Sequence, residues 1–357
     1  MKKHNFSAGP AILAPEVLKQ ASEAALDYNG IGLSILEISH RSKEFKDVLA
    51  EIQPLTLELL GLSSDEYAPL FLTGGASSQF FMSAMNLLNE GEKVAYVDTG
   101  AWSKKAIKEA NLFGKAETIA SSADKNYNYI PKDVKIPSEA KYVHITTNNT
   151  IFGTQYHDLP ATDKYFVADM SSDIFSKERD FSKFGLIYAG AQKNLGPAGV
   201  TLVVVKKDLL GHVSRVIPTM LNYETHIAKE SAFNTPPVFP IYTCLLSMRW
   251  LKSKGGVKGI QKHNEAKADL MYGEIDRNPL FVGTAEKEDR SIMNTTFLLN
   301  DESLQDEFLA ACTAAGISGV KGHRSVGGFR ASIYNAMPLE SVQVLVDVMQ
   351  DFEKKNG

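Results

Sequence analysis

The sequence predicts an α/β protein with a mostly parallel, doubly wound sheet and a smaller α+β domain at its C-terminal end. Between about residue 68 and residue 206, short apolar segments recur and several are separated by helical patterns. After residue 255 the pattern changes to long helices and fewer strands. A chain of 357 residues also exceeds what one hydrophobic core usually supports. We therefore predict a large domain at 16–256 and a small domain at 257–357, with residues 1–15 packed on either.

The elements of the large domain follow from six apolar segments, APLFLTG, KVAYVDTG, KYVHITTN, KYFVADM, GLIYAGA and GVTLVVVKK. Helical patterns such as SSQFFMSAMNLL and WSKKAIKEANLF lie between several of them, which favours parallel strands joined by crossover helices. The last two segments are joined too tightly for such a helix. We expect a local antiparallel return there.

The C-terminal part begins after the Gly255-Gly256 pair, which we interpret as a hinge. The pattern then predicts a helix from about His263 to Asp276, a strand in SIMNTTFLL and a helix near 302–315. A strand in GFRASIY and a last helix complete this part.

Composition excludes several classes of function. The net charge is −4, with Lys+Arg 38 against Asp+Glu 42, and no run of like charge indicates a nucleic-acid or membrane arm. No secretory leader and no run of about 18 apolar residues is present, so we expect a cytoplasmic protein. The only cysteines, Cys244 and Cys312, form no CxxC or Cys/His cluster, so neither a disulfide framework nor a metal site is indicated. Small-molecule chemistry remains open.

Lys193 ends an apolar strand in the stretch LIYAGAQKNLGPAG. Burial lowers the pKa of a lysine, and its neutral amine is then a nucleophile that can form an imine with an aldehyde. Asp169 ends KYFVADM, at the carboxyl end of a strand, where its carboxylate can face a protonated pyridine nitrogen. The alternatives are a solvent-exposed lysine and a helix N-cap aspartate.

Three further segments suit a phosphorylated aromatic cofactor. In FLTGGASSQF the backbone amides around Ala76 and Ser77 can bind a phosphate at a helix start, although glycine turns and caps are also ordinary structure. Trp102 follows a strand and can stack on a planar ring, or it is simply a core or surface aromatic. Thr150 can bond a phenolic oxygen of the ring, or it is a turn residue.

Cationic side chains occur as two His-Arg pairs and a further arginine. The pairs are His40-Arg41 and His323-Arg324, and Arg330 follows the second. Arginine binds carboxylate and phosphate oxygens in a bidentate manner, and repeated His-Arg pairs suit a dianion. The alternative for each residue is a separate surface salt bridge.

With these segments in order, the sequence resembles the phosphoserine aminotransferase family, within the class V enzymes that use pyridoxal 5'-phosphate, over essentially its whole length. The matching motifs are NFSAGP, EISHRSKEF, GGASSQF, NNTIFGT, VADMSSDIFSK, YAGAQKNLGPAGVT, NTPPVFPIY and GHRSVGGFRASIYNAMP. The resemblance implies the fold of the pyridoxal-phosphate-dependent transferases of the aspartate-aminotransferase type. Small departures occur at Ala76, where many relatives have a third glycine, and at Asn149, where many have an acidic residue.

The resemblance also implies a role for each of these residues. Lys193 would bind the cofactor covalently, Asp169 would face its pyridine nitrogen, and the remaining cofactor contacts would come from Ala76, Ser77, Trp102, Thr150 and Gln192. Asn234 and Thr235 would reach the cofactor phosphate of the neighbouring subunit in a homodimer. Arg330 would bind the substrate α-carboxylate, and the phosphate or the distal carboxylate of glutamate would lie against His40, Arg41, His323 and Arg324.

The function implied is reversible transamination between O-phospho-L-serine with 2-oxoglutarate and 3-phosphohydroxypyruvate with L-glutamate. 4-Phosphohydroxythreonine, an intermediate of pyridoxal-phosphate biosynthesis, is a further plausible substrate. The alternatives are a class V aminotransferase for an unphosphorylated substrate and a desulfurase or lyase on the same scaffold. A non-enzymatic α/β binding protein is the alternative from a different class.

Overall fold

The computed structural model describes residues 3–357. Its helices, numbered in chain order, are α1 Pro15–Leu26, α2 Lys43–Leu60, α3 Gly75–Leu87, α4 Ala101–Ala110, α5 Tyr223–Ala228, α6 Val238–Ser253, α7 Gly256–Arg277, α8 Gln305–Ala314 and α9 Leu339–Asn356. Its strands are β1 His4–Asn5, β2 Tyr67–Leu72, β3 Lys93–Asp98, β4 Lys115–Ser121, β5 Val143–Thr146, β6 Asn148–Asn149, β7 Thr154–Gln155, β8 Phe166–Asp169, β9 Phe184–Gly190, β10 Thr201–Lys206, β11 Phe281–Gly283, β12 Asn294–Leu299, β13 Ile317–Ser318 and β14 Phe329–Ser332.

A seven-stranded sheet forms the centre of the part described, in the order β2-β10-β9-β8-β5-β3-β4. Strands β4, β3, β5, β8 and β9 run parallel, and β10 is antiparallel to both of its neighbours, β9 and β2. The predicted α/β class and the antiparallel return after β9 are therefore confirmed. Strand β4 was not predicted, because its sequence KAETIAS lies at the sheet edge and is only partly buried, so it lacks a continuous apolar run.

Both faces of the sheet are covered by helices, which explains the unbroken apolar strands. Side chains such as Ala168 and Ile187 pack on one face with α1, α2 and α6. Val167 and Tyr188, one position along, pack on the other face with α3 and α4. Because side chains alternate along a strand, a sheet buried on both faces needs apolar residues at every position.

The parallel strands all end at one edge of the sheet. In the register of the sheet, Thr146 at the end of β5 lies beside Asp169 at the end of β8, and Asp169 lies beside Tyr188 of β9. Lys193 lies in the loop that leaves β9 at this edge, and Trp102 lies in the first turn of α4, which follows β3. This is where open α/β sheets bind ligands.

The C-terminal part has its own core around the antiparallel sheet β11-β12-β14, with α7, α8 and α9 packed on it. Phe6 belongs to this core and β1 pairs with β13, whereas Ala14 packs with the large sheet. The division of the chain at residues 256 and 257 stays a prediction. No helix within residues 3–357 has both the length and the apolar character needed to cross a membrane.

Helix α7 begins at Gly256, earlier than the predicted start near His263. Gly255 and Gly256 both have positive φ, 89° and 67°, which lets the chain leave α6 and start α7 at once. The glycines and lysines of this stretch resemble a loop in sequence, and for that reason the predicted start was wrong.

Candidate active site

A cavity with a volume of about 320 Å³ opens at the carboxyl edge of the central sheet. Its size suits a small organic ligand. Many of the residues singled out in the sequence line it, namely Ala76, Ser77, Trp102, Thr150, Asp169, Gln192, Lys193, His323 and Arg330. The fold thus brings together side chains from segments that are far apart in the sequence.

Lys193 follows β9 and lies half-buried in this cavity. Its Nζ donates a hydrogen bond of 2.8 Å to Thr150 Oγ1 and lies 5.8 Å from the centroid of the Trp102 ring. Burial lowers the pKa of Lys193 to about 8, while the Asp169 carboxylate opposes this shift and the Arg330 charge adds to it. A substantial fraction of this amine is therefore neutral, and nucleophilic, near neutral pH.

Asp169 ends β8 at the wall of the same cavity, with 5% of its surface exposed. Its Oδ1 accepts a 2.9 Å hydrogen bond from the Ser171 amide, and burial raises its pKa, with Ser171 and Lys193 acting in the opposite direction. No α-helix follows within 170–180, so the alternative of a helix N-cap does not apply. The carboxylate is available to a cationic group in the cavity.

Helix α3 points its first turn at the cavity, with Ala76 and Ser77 in that turn. The first amides of a helix have no intrahelical acceptor, and they bind anions. Gly74 has a φ of 97°, and a Cβ there would lie 1.9 Å from the Ser78 Oγ. The sharp turn into α3 therefore requires glycine at this position.

Several polar atoms of the cavity lack a partner among residues 3–357. They are Trp102 Nε1, Thr146 Oγ1 and Arg330 Nε, all three of them buried. Buried polar groups are normally hydrogen-bonded, and unpaired ones at a cavity are suited to a ligand. Together with the free amides of α3, they fit a planar ring with a phosphate and a substrate carboxylate.

His323 and Arg330 supply positive charge to the cavity. Arg330 Nη1 lies 3.5 Å from the Thr150 carbonyl oxygen, and burial lowers its pKa. Burial also lowers the pKa of His323, with a further contribution from the charge of Arg330. The neighbouring Arg324 is exposed and does not line the cavity.

Four other predicted residues lie outside this cavity. Arg41 is exposed and His40 half-buried, in the turn before α2, and Asn234 and Thr235 are exposed in the segment before α6. Asn234 borders a separate groove together with Gly74 at the entrance to α3. The roles of these residues, and of Arg324, stay predictions.

Sequence reasoning gave no role to other residues that line the cavity. Ala8 and Gly9 reach it from the N-terminal segment, and a Cβ on Gly9 would lie 3.2 Å from Lys193 Cγ. The NFSAGP motif marked this segment without indicating its position. Asn148 and Ser171 also line the cavity, and they could have been found as polar residues that follow strand ends.

The comparisons with known proteins agree with this geometry. The sequence profile of the family Aminotransferase class-V matches residues 3–345. The phosphoserine aminotransferase of Flavobacterium johnsoniae is 61% identical over 355 residues, covering 99% of this chain and 100% of that protein.

Two solved structures extend the similarity to three dimensions. The phosphoserine aminotransferase of Bacillus circulans subsp. alkalophilus superposes with a TM-score of 0.96 at 45% identity, covering 100% of this chain and 99% of that one. A pyridoxal-phosphate-bound phosphoserine aminotransferase from Trichomonas vaginalis gives a TM-score of 0.92 at 34% identity, covering 98% and 100%.

Proposed function

Because the chain belongs to the phosphoserine aminotransferase family of class V aminotransferases, we propose that it transfers an amino group reversibly between O-phospho-L-serine and 2-oxoglutarate. The products are 3-phosphohydroxypyruvate and L-glutamate, and the reaction serves serine biosynthesis. The observation that carries the proposal is the Lys193 amine, held in the cavity at 2.8 Å from Thr150 with a pKa lowered to about 8.

The cofactor is pyridoxal 5'-phosphate. When bound, it withdraws electrons from the bonds around the substrate Cα. The residues that would hold it are Asp169 at the pyridine nitrogen, Trp102 at the ring face, Thr150 at the phenolic oxygen, and Ala76, Ser77 and Gln192 at the phosphate. All of them line the one cavity.

Lys193 is the residue that would move protons. As a base, its Nζ would take the proton from the substrate Cα. As an acid, it would then donate that proton on the cofactor side of the amino nitrogen. A pKa of about 8 suits both tasks near neutral pH, because neither form of the amine is rare. Arg330, which lines the cavity, would orient the substrate by binding its α-carboxylate.

A second copy of the chain would complete the site. We define the outer segments as residues 31–41 and 233–235, which contain His40-Arg41 and Asn234-Thr235. Large apolar side chains are exposed there, among them Leu36 at 64% and Phe233 at 40%. Three of them, Ile31, Leu33 and Leu36, lie within six residues of chain, and exposed apolar side chains that are grouped in this way suit an interaction surface. In a homodimer these segments would be covered, and their polar residues would reach the cavity of the neighbouring subunit.

Phosphate recognition separates this proposal from an aminotransferase for unphosphorylated substrates. His323 lies at the cavity, its chain neighbour Arg324 would join it, and His40 and Arg41 would reach the same place across the dimer. Such a density of positive charge suits a substrate with a dianionic group and is superfluous for alanine or serine. 4-Phosphohydroxythreonine carries the same groups and is a second substrate to assay. We expect the reaction to take place in the cytoplasm.

The desulfurase alternative requires a mobile cysteine at the cavity. Cys244 and Cys312 are both buried in hydrophobic cores, away from the cavity, and burial raises the pKa of each thiol. Neither is suited to act as a nucleophile. A non-enzymatic binding protein would have no use for the depressed pKa of Lys193.

Steady-state assay of the purified protein with pyridoxal 5'-phosphate tests the proposal. We expect turnover of O-phospho-L-serine with 2-oxoglutarate, and a kcat/KM for L-serine at least about 10³-fold lower, because the cationic groups would remain unpaired. Equal turnover of serine would contradict phosphate recognition. Loss of both activities in an otherwise folded, cofactor-loaded protein would contradict the function itself.

A further inference from the structure

The chain that follows β14 links the substrate side of the cavity to the loop of Lys193. We call residues 333–337 the junction segment. It begins directly after the strand that carries Arg330, and its residues Ile333, Tyr334, Asn335 and Met337 are buried. None of these residues lines the cavity itself. Their hydrogen bonds show what the segment is attached to.

Helix α7 holds the junction segment from one side. Lys267 is fully buried, and its Nζ donates to the carbonyl oxygens of Ile333 at 2.8 Å and Tyr334 at 2.6 Å. Asn264 Nδ2 donates to Asn335 Oδ1 at 2.8 Å. Lys267 has no carboxylate partner within residues 3–357, and burying such a lysine costs free energy. The two carbonyls are therefore held by a group whose burial is itself unfavourable.

Asn194 holds the junction segment from the other side. The backbone N–H of Asn335 donates to Asn194 Oδ1 at 2.9 Å, and Asn194 Nδ2 donates to the Ile174 carbonyl at 2.7 Å. Asn335 Nδ2 in turn donates to the Phe175 carbonyl at 3.1 Å. Asn194 immediately follows Lys193, so the strand of Arg330 is tied to the residue next to the reactive amine.

The surroundings of this tie are nearly filled. Lys193, Asn194 and Asn335 also line a second pocket, whose volume of about 20 Å³ is close to that needed by one water molecule. A change at either asparagine therefore reaches the Lys193 loop through both hydrogen bonds and packing.

We propose that the Asn194–Asn335 pair is a positioning device that fixes the distance between the Arg330 guanidinium and the Lys193 amine. The inference rests on the proposed function, in which Arg330 holds the substrate carboxylate while Lys193 acts on the adjacent Cα. A misplacement of about 1 Å between two such groups costs on the order of 10²-fold in rate. Neither asparagine touches the substrate, so both act through their neighbours.

The test compares Asn194→Ala with Asn278→Ala. Asn278 is a matched control, because it is buried in the C-terminal core, and its Nδ2 donates to Glu274 Oε1 and the Met349 carbonyl. We expect Asn194→Ala to lower kcat about 10-fold to 100-fold with a smaller change in KM, and the control to lower it less than about 2-fold. Equal losses in the two variants would overturn the proposal.

A second readout uses the cofactor-free protein. The pKa of the Lys193 amine can be measured by its pH-dependent acetylation with acetic anhydride, followed by peptide mass spectrometry. Slackening the junction admits water beside the amine, so in Asn194→Ala we expect this pKa to rise towards its ordinary value, while Asn278→Ala leaves it unchanged. An unchanged value in Asn194→Ala would contradict the proposal, even if the wild type failed to transaminate phosphoserine.

Asn335→Ala supplies an independent variant if Asn194→Ala does not fold. It removes the bonds to Phe175 and Asn264 while keeping the backbone bond to Asn194. We expect Asn335→Ala to lower kcat with a smaller change in KM, as Asn194→Ala does, and a kcat equal to that of the wild type would contradict the proposal. Where both single variants fold and the two asparagines act as one unit, the double variant loses little more kcat than the worse single variant. If the kcat losses of the two single variants multiply in the double variant, the two asparagines act independently of each other.

Discussion

The loop of Lys193 and the outer segments both carry predicted site residues, but within a single chain only the loop of Lys193 lies at the cavity. Around Lys193 the chain supplies walls that run from the strand ends of the sheet to Ala8 and Gly9 of the N-terminal segment. The outer segments leave Arg41, Asn234 and Thr235 exposed and away from that cavity. A residue is thus positioned by its own chain only where that chain also provides its environment, and in the proposed homodimer the outer segments would find theirs in a second copy.

Loss of the amine is expected to have the largest effect. Lys193→Ala should lower turnover at least about 10⁴-fold, because it removes the amine that we propose as both the nucleophile and the proton-transferring group. Steady-state assay with phosphoserine and 2-oxoglutarate measures this. Lys177→Ala is the control, since Lys177 is half-buried with a pKa lowered by burial but lies outside the cavity. Similar losses of turnover in the two variants would show that Lys193 matters no more than a half-buried lysine outside the cavity.

Asp169→Asn should lower turnover by about 10²- to 10³-fold, because the variant loses the charge that would face the cofactor ring in the proposed function. It should also make the cofactor-free protein more stable at neutral pH. Burial raises the pKa of Asp169 in the folded state, so the folded state binds its proton more tightly than the unfolded state, and ionisation costs stability as pH rises. Chemical denaturation of the apo-protein at pH 7 checks this, and a less stable variant would contradict it.

Mixed dimers test the contrast between the two regions directly. Arg41→Ala alone should lower kcat/KM for phosphoserine about 10²-fold, through loss of a charge-assisted phosphate contact. Coexpression with Lys193→Ala under a different affinity tag gives a dimer with one damaged and one intact site, so about half of the wild-type activity should return.

The matched control is the mixed dimer of Lys193→Ala and Asp169→Asn. Both residues line the cavity of one chain, so each site of this dimer keeps one defect and no activity should return. Absence of recovery with Arg41→Ala would place Arg41 in the same subunit's site, and recovery in the control would place Lys193 and Asp169 in different sites. Either result would remove the distinction between the two regions.

The same distinction explains what the sequence could predict. The sheet, the antiparallel return and the positions of Lys193 and Asp169 follow from apolar strands and from the rule that ligands bind at strand ends. Gly9 and Asn335 come from remote parts of the chain, and only tertiary contacts bring them near the lysine. Such contacts leave no periodic pattern in one sequence. The edge strand β4 escaped prediction for a local reason, its polar composition.

The smallest effect concerns the cost of burying the Lys193 amine. Burial lowers its pKa to about 8 in the folded state, so the folded protein gives up this proton more readily than the unfolded chain. The resulting penalty is fully present below pH 8 and disappears as pH rises towards the ordinary lysine value of about 10.4. In the cofactor-free protein, Lys193→Met should therefore add about 2 kcal/mol to the free energy of unfolding at pH 7, after allowance for partial exposure. The gain should shrink by pH 9.5, and denaturant titration at both values measures it. A gain that did not depend on pH would mean that Lys193 is as well hydrated as Arg41 in the outer segments, and the difference between the two regions would be lost.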